Sequence, residues 1–389
     1  MPSGLIWTTT SGCDTTSTHP SDTAMGSCTP PIANCGDSAM MTTSNSPSSE
    51  QLRLHPSSFE FVDTHNDLLM LVVKRPRERW GRYFRDNWLP QLKAGGVGIQ
   101  VLAVYVDHTL FGEASLREIF RMIEAAHVIA AENADTVRLC TGRAEIDRAR
   151  AGDRIALVLA IEGCGAFAPN LELFGQVHRL GVRMISLVHM GRNAFADASD
   201  QDAAHGGLTS LGRDALGIIE SLGMIFDISH LGAFGVDDVL GLAEQPMIAS
   251  HSSARALRDH HRNLTDRQLR SVAERNGVVC VNFMASFLAT SGATVQHLAD
   301  HVEHIRAVAG PAHVGIGPDF VAEVFAEVAP ATVGPGFADF DPIETIDGLE
   351  GPSGLPLLTE ELQRRGWPDH DIDTLHRTNV LDLLGSICP

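Results

Sequence analysis

Positive charge is in short supply in this chain, with 29 lysines and arginines against 48 aspartates and glutamates, a formal charge of -19 over 389 residues. That balance excludes nucleic acid, whose phosphates need basic side chains, and it excludes an anionic membrane surface. Cations and small molecules are the partners left. No acidic run is long enough to form a tail, so the surplus reads as a solvated surface. No apolar run reaches the roughly 18 residues that span a bilayer, and no basic segment followed by an apolar one opens the chain. The seven cysteines, at positions 13, 28, 35, 140, 164, 280 and 388, include no Cys-x-x-Cys pair and no disulfide framework. Reduced thiols and a cytoplasmic location are the expectation. A Gly-x-Gly-x-x-Gly turn after the first apolar run is missing too, which argues against a dinucleotide fold.

What the sequence does have is 44% hydrophobic and 20% charged residues, the proportions of a globular protein with a sizeable core. Residues 1–55 are the exception. They are rich in Ser, Thr, Pro, Asn and Gly without any period, and cannot bury enough surface to offset their ordering entropy, so a disordered tail is expected there. Residues 56–389 are expected to form one domain.

Within that domain short β-rich runs alternate with longer helical patterns. The runs are Phe59–His65, Val97–Val106, Ile155–Gly163, Val182–Met190, Met224–Leu231, Pro246–Ser253, Gly277–Phe283 and His313–Phe320. Helical patterns between them include Leu116–Glu132, Leu171–Leu180, Gly212–Leu222, Val236–Ala243, Asp266–Arg275 and Val295–Ala309, and two more, Leu358–Arg365 and His370–Leu384, close the chain. Eight strands with intervening helices predict an α/β fold of the (β/α)8 TIM-barrel type with added C-terminal helices; an open doubly wound sheet is the alternative.

In such barrels the active site gathers at the carboxyl ends of the strands. The first run ends in His65 and Asp67, two residues apart, so both leave an extended strand on the same side. The third ends in Glu162, the fourth in His189, the fifth in His230, the sixth in His251 and the eighth in Asp319. Imidazole and carboxylate are standard ligands for zinc, and their recurrence on one rim predicts a metal site. Ten other histidines, at 108, 127, 178, 205, 260, 261, 301, 304, 370 and 376, fall in helical or loop segments and read as surface or capping residues, while His313 opens its strand at the opposite rim. Beyond Asp319, the Gly/Pro-containing stretch 321–356 is long for a connection and is a candidate lid or pocket wall.

These residues, in this order, resemble the membrane (renal) dipeptidase family, zinc metallopeptidases on the amidohydrolase-type barrel. The resemblance runs from about Phe59 to Leu384. It is carried by Val62-Asp63-Thr64-His65-Asn66-Asp67, Ile161-Glu162-Gly163, Ser186-Leu187-Val188-His189, Asp227-Ile228-Ser229-His230, Ser250-His251-Ser252-Ser253, His261-Arg262-Asn263 and Gly317-Pro318-Asp319-Phe320.

The resemblance implies two Zn2+ per chain. His65 and Asp67 would ligate one, His230 and His251 the other, and Glu162 would bridge both. It further implies hydrolysis of dipeptides, including those with a D residue on the carboxyl side, by a hydroxide held between the metals. His189 would polarise the scissile carbonyl, Arg262 would hold the substrate carboxylate, Asp319 would handle protons, and a homodimer would be the assembly. The chain departs from the family at Val321-Ala322, where an Asp and a Gly commonly follow.

Two rival readings are weighed beside it. One is another binuclear amidohydrolase acting on a related small amide, but many of those use His-x-His on the first strand and a carboxylated lysine on the fourth, where this chain has Asp67 and His189. The other is a barrel that has lost its chemistry, which the presence of all five ligands disfavours.

Overall fold

The computed structural model describes residues 59–106, 110–200, 206–327 and 344–388. The expected disordered tail and residues 328–343 of the candidate lid lie outside those residues, as do His108 and His205.

Nine strands are present among the described residues: β1 (Phe61–Asp63), β2 (Val97–Tyr105), β3 (Val137–Leu139), β4 (Ile155–Glu162), β5 (Val182–Ile185), β6 (Ile225–Phe226), β7 (Ile248–Ala249), β8 (Val278–Val281) and β9 (Val314–Ile316). All pairings between strands are parallel. The order β1-β2-β4-β5-β6 continues into β7-β8-β9 through a parallel bridge between Asp227 and Ile248. The ring is drawn together where the Asp319 amide, just past β9, donates to the His65 carbonyl past β1 at 3.2 Å. A curled parallel sheet of βα units follows, as expected of a TIM-type barrel.

All eight expected runs contain a strand, yet most strands are shorter than the runs. Val182–Met190 keeps strand pairing only to Ile185, and Met224–Leu231 only at Ile225–Phe226. Beyond them Leu187, Val188, Ile228 and Leu231 stay buried while the chain turns into the site. The ninth strand, β3, was not expected. β2 occupies one edge of β4, and β5 joins the other edge only from Leu159, so β3 takes the edge that remains at Ile155–Leu157.

Alternate strand residues separate into two packed sets, as the period of two requires. Val62, Ile99, Val101, Ala156, Val158, Ala160, Met184, Ile225, Ile248 and Cys280 pack with Val380, Leu381 and Leu384 of the last helix, Asn379–Ile387. Intervening residues such as Leu157, Leu159 and Ile161 pack among the surrounding helices. Glu162 is the next member of the first series, so its carboxylate continues the inward face at the carboxyl end of β4. Cys140, Cys164, Cys280 and Cys388 are free and buried.

Two histidines correct the expectation that they are surface or capping residues. His301 and His376 are fully buried, His301 accepting the Ala254 amide and His376 stacked 4.1 Å from the Phe61 ring. Both come from helical segments whose apolar face turns inward, and a lone imidazole does not reveal which face it occupies. His260 is also buried.

Candidate metal centre

Each ligand-type residue enters the site by a different local device. β1 ends at Asp63, whose Oδ1 accepts the His65 amide at 3.0 Å, and the Asn66 side chain accepts the Leu68 amide, a tight turn that brings His65 and Asp67 round together. Glu162 closes β4, and Gly163 follows with φ 81°, a conformation glycine adopts without penalty. A side chain at Gly163 would also meet the His189 backbone N at 3.2 Å, so the glycine lets β4 and the segment after β5 close up. His230 (φ 68°) and Asp319 (φ 57°) are left-handed without being glycine, a strained conformation that clusters at functional sites.

These devices converge. Glu162 Oε2 lies 3.5 Å from His65 Nε2, while Oε1 lies 2.9 Å from His230 Nε2 and 3.3 Å from His251 Nε2. The two oxygens of one carboxylate thus face two different groups of ligand atoms. On the Oε2 side, His65 Nε2 is also 3.8 Å from Asp67 Oδ1 and 3.9 Å from Asp319 Oδ1. On the other side, the Nε2 atoms of His230 and His251 approach to 2.8 Å, and the His189 and His230 rings are 4.3 Å apart. Three overlapping groups have ligand spacing: His65, Glu162 and His251; Glu162, His189 and His230; His65, Asp67 and Asp319. All eight residues named from the sequence therefore lie at or beside one centre, Arg262 included, since its Nη2 donates to the His251 carbonyl at 3.2 Å.

The electrostatics favour cations. Burial works against a charge on His65, yet Glu162, Asp319 and Asp67 outweigh it and push the imidazole up to about 10. Burial likewise pushes Glu162 up, but His65, His189 and His230 hold it well below the usual carboxylate range. Asp67 is raised well above its ordinary value by burial and by the carboxylates beside it, against the pull of His65. Burial drives His230 and His251 down, leaving them neutral, which is the form that ligates. His189 is pushed down to about 4, chiefly by burial.

Several buried atoms here lack a hydrogen-bond partner: Asp67 Oδ1, Glu162 Oε1, His189 Nδ1 and Arg262 Nε. Orphaned polar atoms are rare in folded proteins, and four among the residues of this site mark it as a place where an ion or ligand belongs. A donor set of three imidazoles and two or three carboxylates fits divalent ions of the zinc type, and the split orientation of Glu162 suits a pair of them.

Residues that sequence reasoning did not assign complete the surroundings. Asn282 donates to Asp319 Oδ2 at 2.9 Å, and the Tyr105 ring lies 4.4 Å from that of His189. A cavity of about 270 Å³ opens beside Glu162 and His189, walled by Val106, Leu110, Phe111, Ala166 and Met190. Strand-end position is the signal that marks the ligand-type residues, and these neighbours carry no such signal. The stretch after β9 does contribute a wall, in that Ile346 and Leu349 meet Asp319 and Phe320 around a small cavity.

Comparison with known proteins adds a family. A sequence profile described as membrane dipeptidase (peptidase family M19) matches residues 50–329. The chain is 31% identical over 277 residues to dipeptidase verJ of Clonostachys rogersoniana, covering 70% of this chain and 66% of that protein. It is 32% identical over 287 residues to an uncharacterised dipeptidase of Schizosaccharomyces pombe, covering 67% of this chain and 68% of that protein. The matches thus span about two thirds of these relatives' length. A crystal structure described as the dipeptidase AC, a metallopeptidase of family M19, superposes with a TM-score of 0.75 at 25% identity, covering 85% of this chain and 99% of that one. A metallopeptidase from Rhodobacter sphaeroides, liganded with a phosphinate mimic of the dipeptide L-Ala-D-Ala, shares the fold with a TM-score of 0.75 at 24% identity, covering 86% and 100%.

Proposed function

As this chain belongs to the membrane dipeptidase family of metallopeptidases, we propose that it hydrolyses dipeptides using two zinc ions, one held by His65 and Asp67, one by His230 and His251, with Glu162 shared between them. The observation that carries the reading is the orientation of Glu162, one oxygen toward His65 and the other toward His230 and His251. When bound, such ions make water nucleophilic at neutral pH and polarise a carbonyl.

The remaining side chains have roles of their own. His189, neutral because it is buried, carries one N–H with which to hydrogen-bond the carbonyl oxygen as charge develops there. Arg262 is buried with its Nε unpartnered, and a guanidinium so placed matches a carboxylate. That favours a substrate with a free carboxyl end close to the scissile bond, which is what a dipeptide is. Asp319, fixed by Asn282, is the carboxylate placed to accept a proton from the attacking water and pass it to the leaving amine.

The test is a panel of L,L and L,D dipeptides, L-Ala-D-Ala among them, assayed with their N-acetylated and carboxyl-amidated forms. Turnover of the free dipeptides that disappears on amidation supports the reading. Equal turnover of amidated and free forms replaces it with a broader amidohydrolase.

A further inference from the structure

Behind the metal ligands runs a chain of buried hydrogen bonds with a fixed direction. Asp227 follows β6, and its Oδ1 accepts the amides of Ser229 at 2.9 Å and Ser250 at 3.0 Å. Its Oδ2 lies 2.5 Å from Ser250 Oγ, and Ser250 Oγ lies 2.7 Å from His251 Nδ1. All these residues are at most 5% exposed, so water does not compete for the bonds.

The direction follows from counting hydrogens. A carboxylate has only lone pairs, so the Ser250 hydroxyl hydrogen goes to Asp227. Ser250 Oγ then has only lone pairs to offer His251, and the 2.7 Å contact requires the hydrogen to sit on His251 Nδ1. Ser229 Oγ, 3.3 Å from Ser250 Oγ, already accepts the His251 amide and can donate into the lone pair that is left. A neutral imidazole has a single N–H, so its Nε2 is bare. That atom faces Glu162 Oε1 and His230 Nε2.

We propose that Asp227 and Ser250 are positioning residues which lock His251 in its Nδ1–H tautomer and so present the Nε2 lone pair to the second cation. The proposal rests on the binuclear reading above and adds to it the group that sets a ligand's protonation pattern. It distinguishes two substitutions that a purely structural role would rank the other way. Asp227→Asn keeps the shape and, through its Oδ1, both backbone bonds. Its Nδ2, however, donates to Ser250 Oγ, which frees the hydroxyl hydrogen to turn toward His251 Nδ1 and so favours the Nε2–H tautomer. Ser250→Ala removes the relay but leaves His251 free to choose.

The experiment is a zinc-affinity measurement by chelator competition on full-length wild type, Asp227→Asn, Ser250→Ala and Ser250→Thr, with the melting temperature of each metal-free protein recorded alongside. Second-zinc affinity is expected to fall about 100-fold in Asp227→Asn and about 10-fold in Ser250→Ala, and to stay within about threefold of wild type in Ser250→Thr, which restores the hydroxyl. Long-range 15N spectra of metal-free protein labelled at histidine should show the His251 signal changing tautomer in Asp227→Asn. Wild-type-like affinity in both Asp227→Asn and Ser250→Ala overturns the relay, as do affinity losses that merely track the losses in melting temperature. Should Asp227→Asn fail to fold, the alanine and threonine variants decide, and equal affinities in that pair overturn the proposal. Wild type that binds fewer than two zinc ions overturns the binuclear reading itself, whereas two zincs with unaffected variants overturn only the relay.

Discussion

Arg262 is 4% exposed, its Nη2 tied to the His251 carbonyl and its guanidinium 5.6 Å over the Phe287 ring. Burial lowers its pKa, while Asp319, Glu162, Asp227 and Asp200 support the charge from a distance. A buried cation with a free donor is ready for an anion. Arg262→Ala is expected to cut kcat/KM for a free dipeptide by about two orders of magnitude, as loss of a charged contact of roughly 3 kcal/mol implies. The carboxyl-amidated peptide, already poor, should lose little more; steady-state kinetics on the matched pair reads the contrast, and equal losses on both peptides would mean that Arg262 does not meet the carboxylate.

A different single residue makes a separable contribution to acid sensitivity. His376 is buried against Phe61, neither ring nitrogen has a hydrogen-bond partner, and burial drops it to about 3. Between the ordinary value of 6.5 and about 3, the unfolded chain takes up a proton there that the folded chain refuses, so stability falls as pH drops through that window and is unaffected above it. His376→Phe keeps the stacking and removes the titration. Relative to wild type the variant should gain melting temperature on acidification, by roughly 4 °C at pH 4.5, with both proteins in chelator so that metal release adds nothing. A difference between the two that does not change with pH would remove His376 from the acid response.

At the scale of elements, the barrel closes through very close backbone approaches. A side chain at Gly317, just after β9, would meet the Ser250 carbonyl after β7 at 1.7 Å and Thr64 Oγ1 at 2.7 Å. Thr64 Oγ1 itself lies 2.6 Å from the Ser250 carbonyl and 2.9 Å from that of Ile316, so β1, β7 and β9 are held at one point directly under His65 and His251. Gly317→Ala must therefore push two strand ends apart. Destabilisation of about 1–3 kcal/mol, with weaker zinc retention, is expected in thermal melts and dialysis. A melting temperature equal to that of wild type would show slack in that junction.

The elements that the sequence made legible are those with periodicity or position on their side. Val97–Tyr105 and Ile155–Glu162 are long apolar runs between helical patterns, and His65, Asp67, Glu162, His230, His251 and Asp319 could be found because each stands where an apolar run stops. β3 escaped because Val137–Leu139 is only three residues long and pairs with one edge of β4. The short helices at Leu68–Val73 and Arg143–Ala151 escaped as well. Left-handed backbone at His230 and Asp319 has no signature in a histidine or an aspartate, and the Asp227–Ser250 relay needs residues 23 apart to be brought together by pairing. The inward turn of His301 and His376 depended on helix rotation, which a single polar residue on an apolar face does not disclose.

For the whole molecule, the relevant balance is charge. A chain of formal charge -19 gathers Asp67, Glu162 and Asp319 around buried imidazoles, and divalent cations are what such a centre is suited to hold. Ligands that bind only the folded state stabilise it by mass action. Exhaustive chelation should accordingly abolish hydrolysis and lower the melting temperature, and added zinc should restore both; a metal-free protein that melts where the loaded one does would argue against a buried cluster.

Zinc content in two proteins tests the shared carboxylate most directly. Wild type purified without chelator should contain close to two zinc ions per chain by elemental analysis, because a bridging Glu162 with four further ligands exceeds what one tetrahedral ion takes. Glu162→Gln keeps the shape of the side chain but cannot neutralise two cations, and should hold one ion or none. Two ions per chain retained in Glu162→Gln, or one or none in wild type, would contradict a binuclear centre built on Glu162.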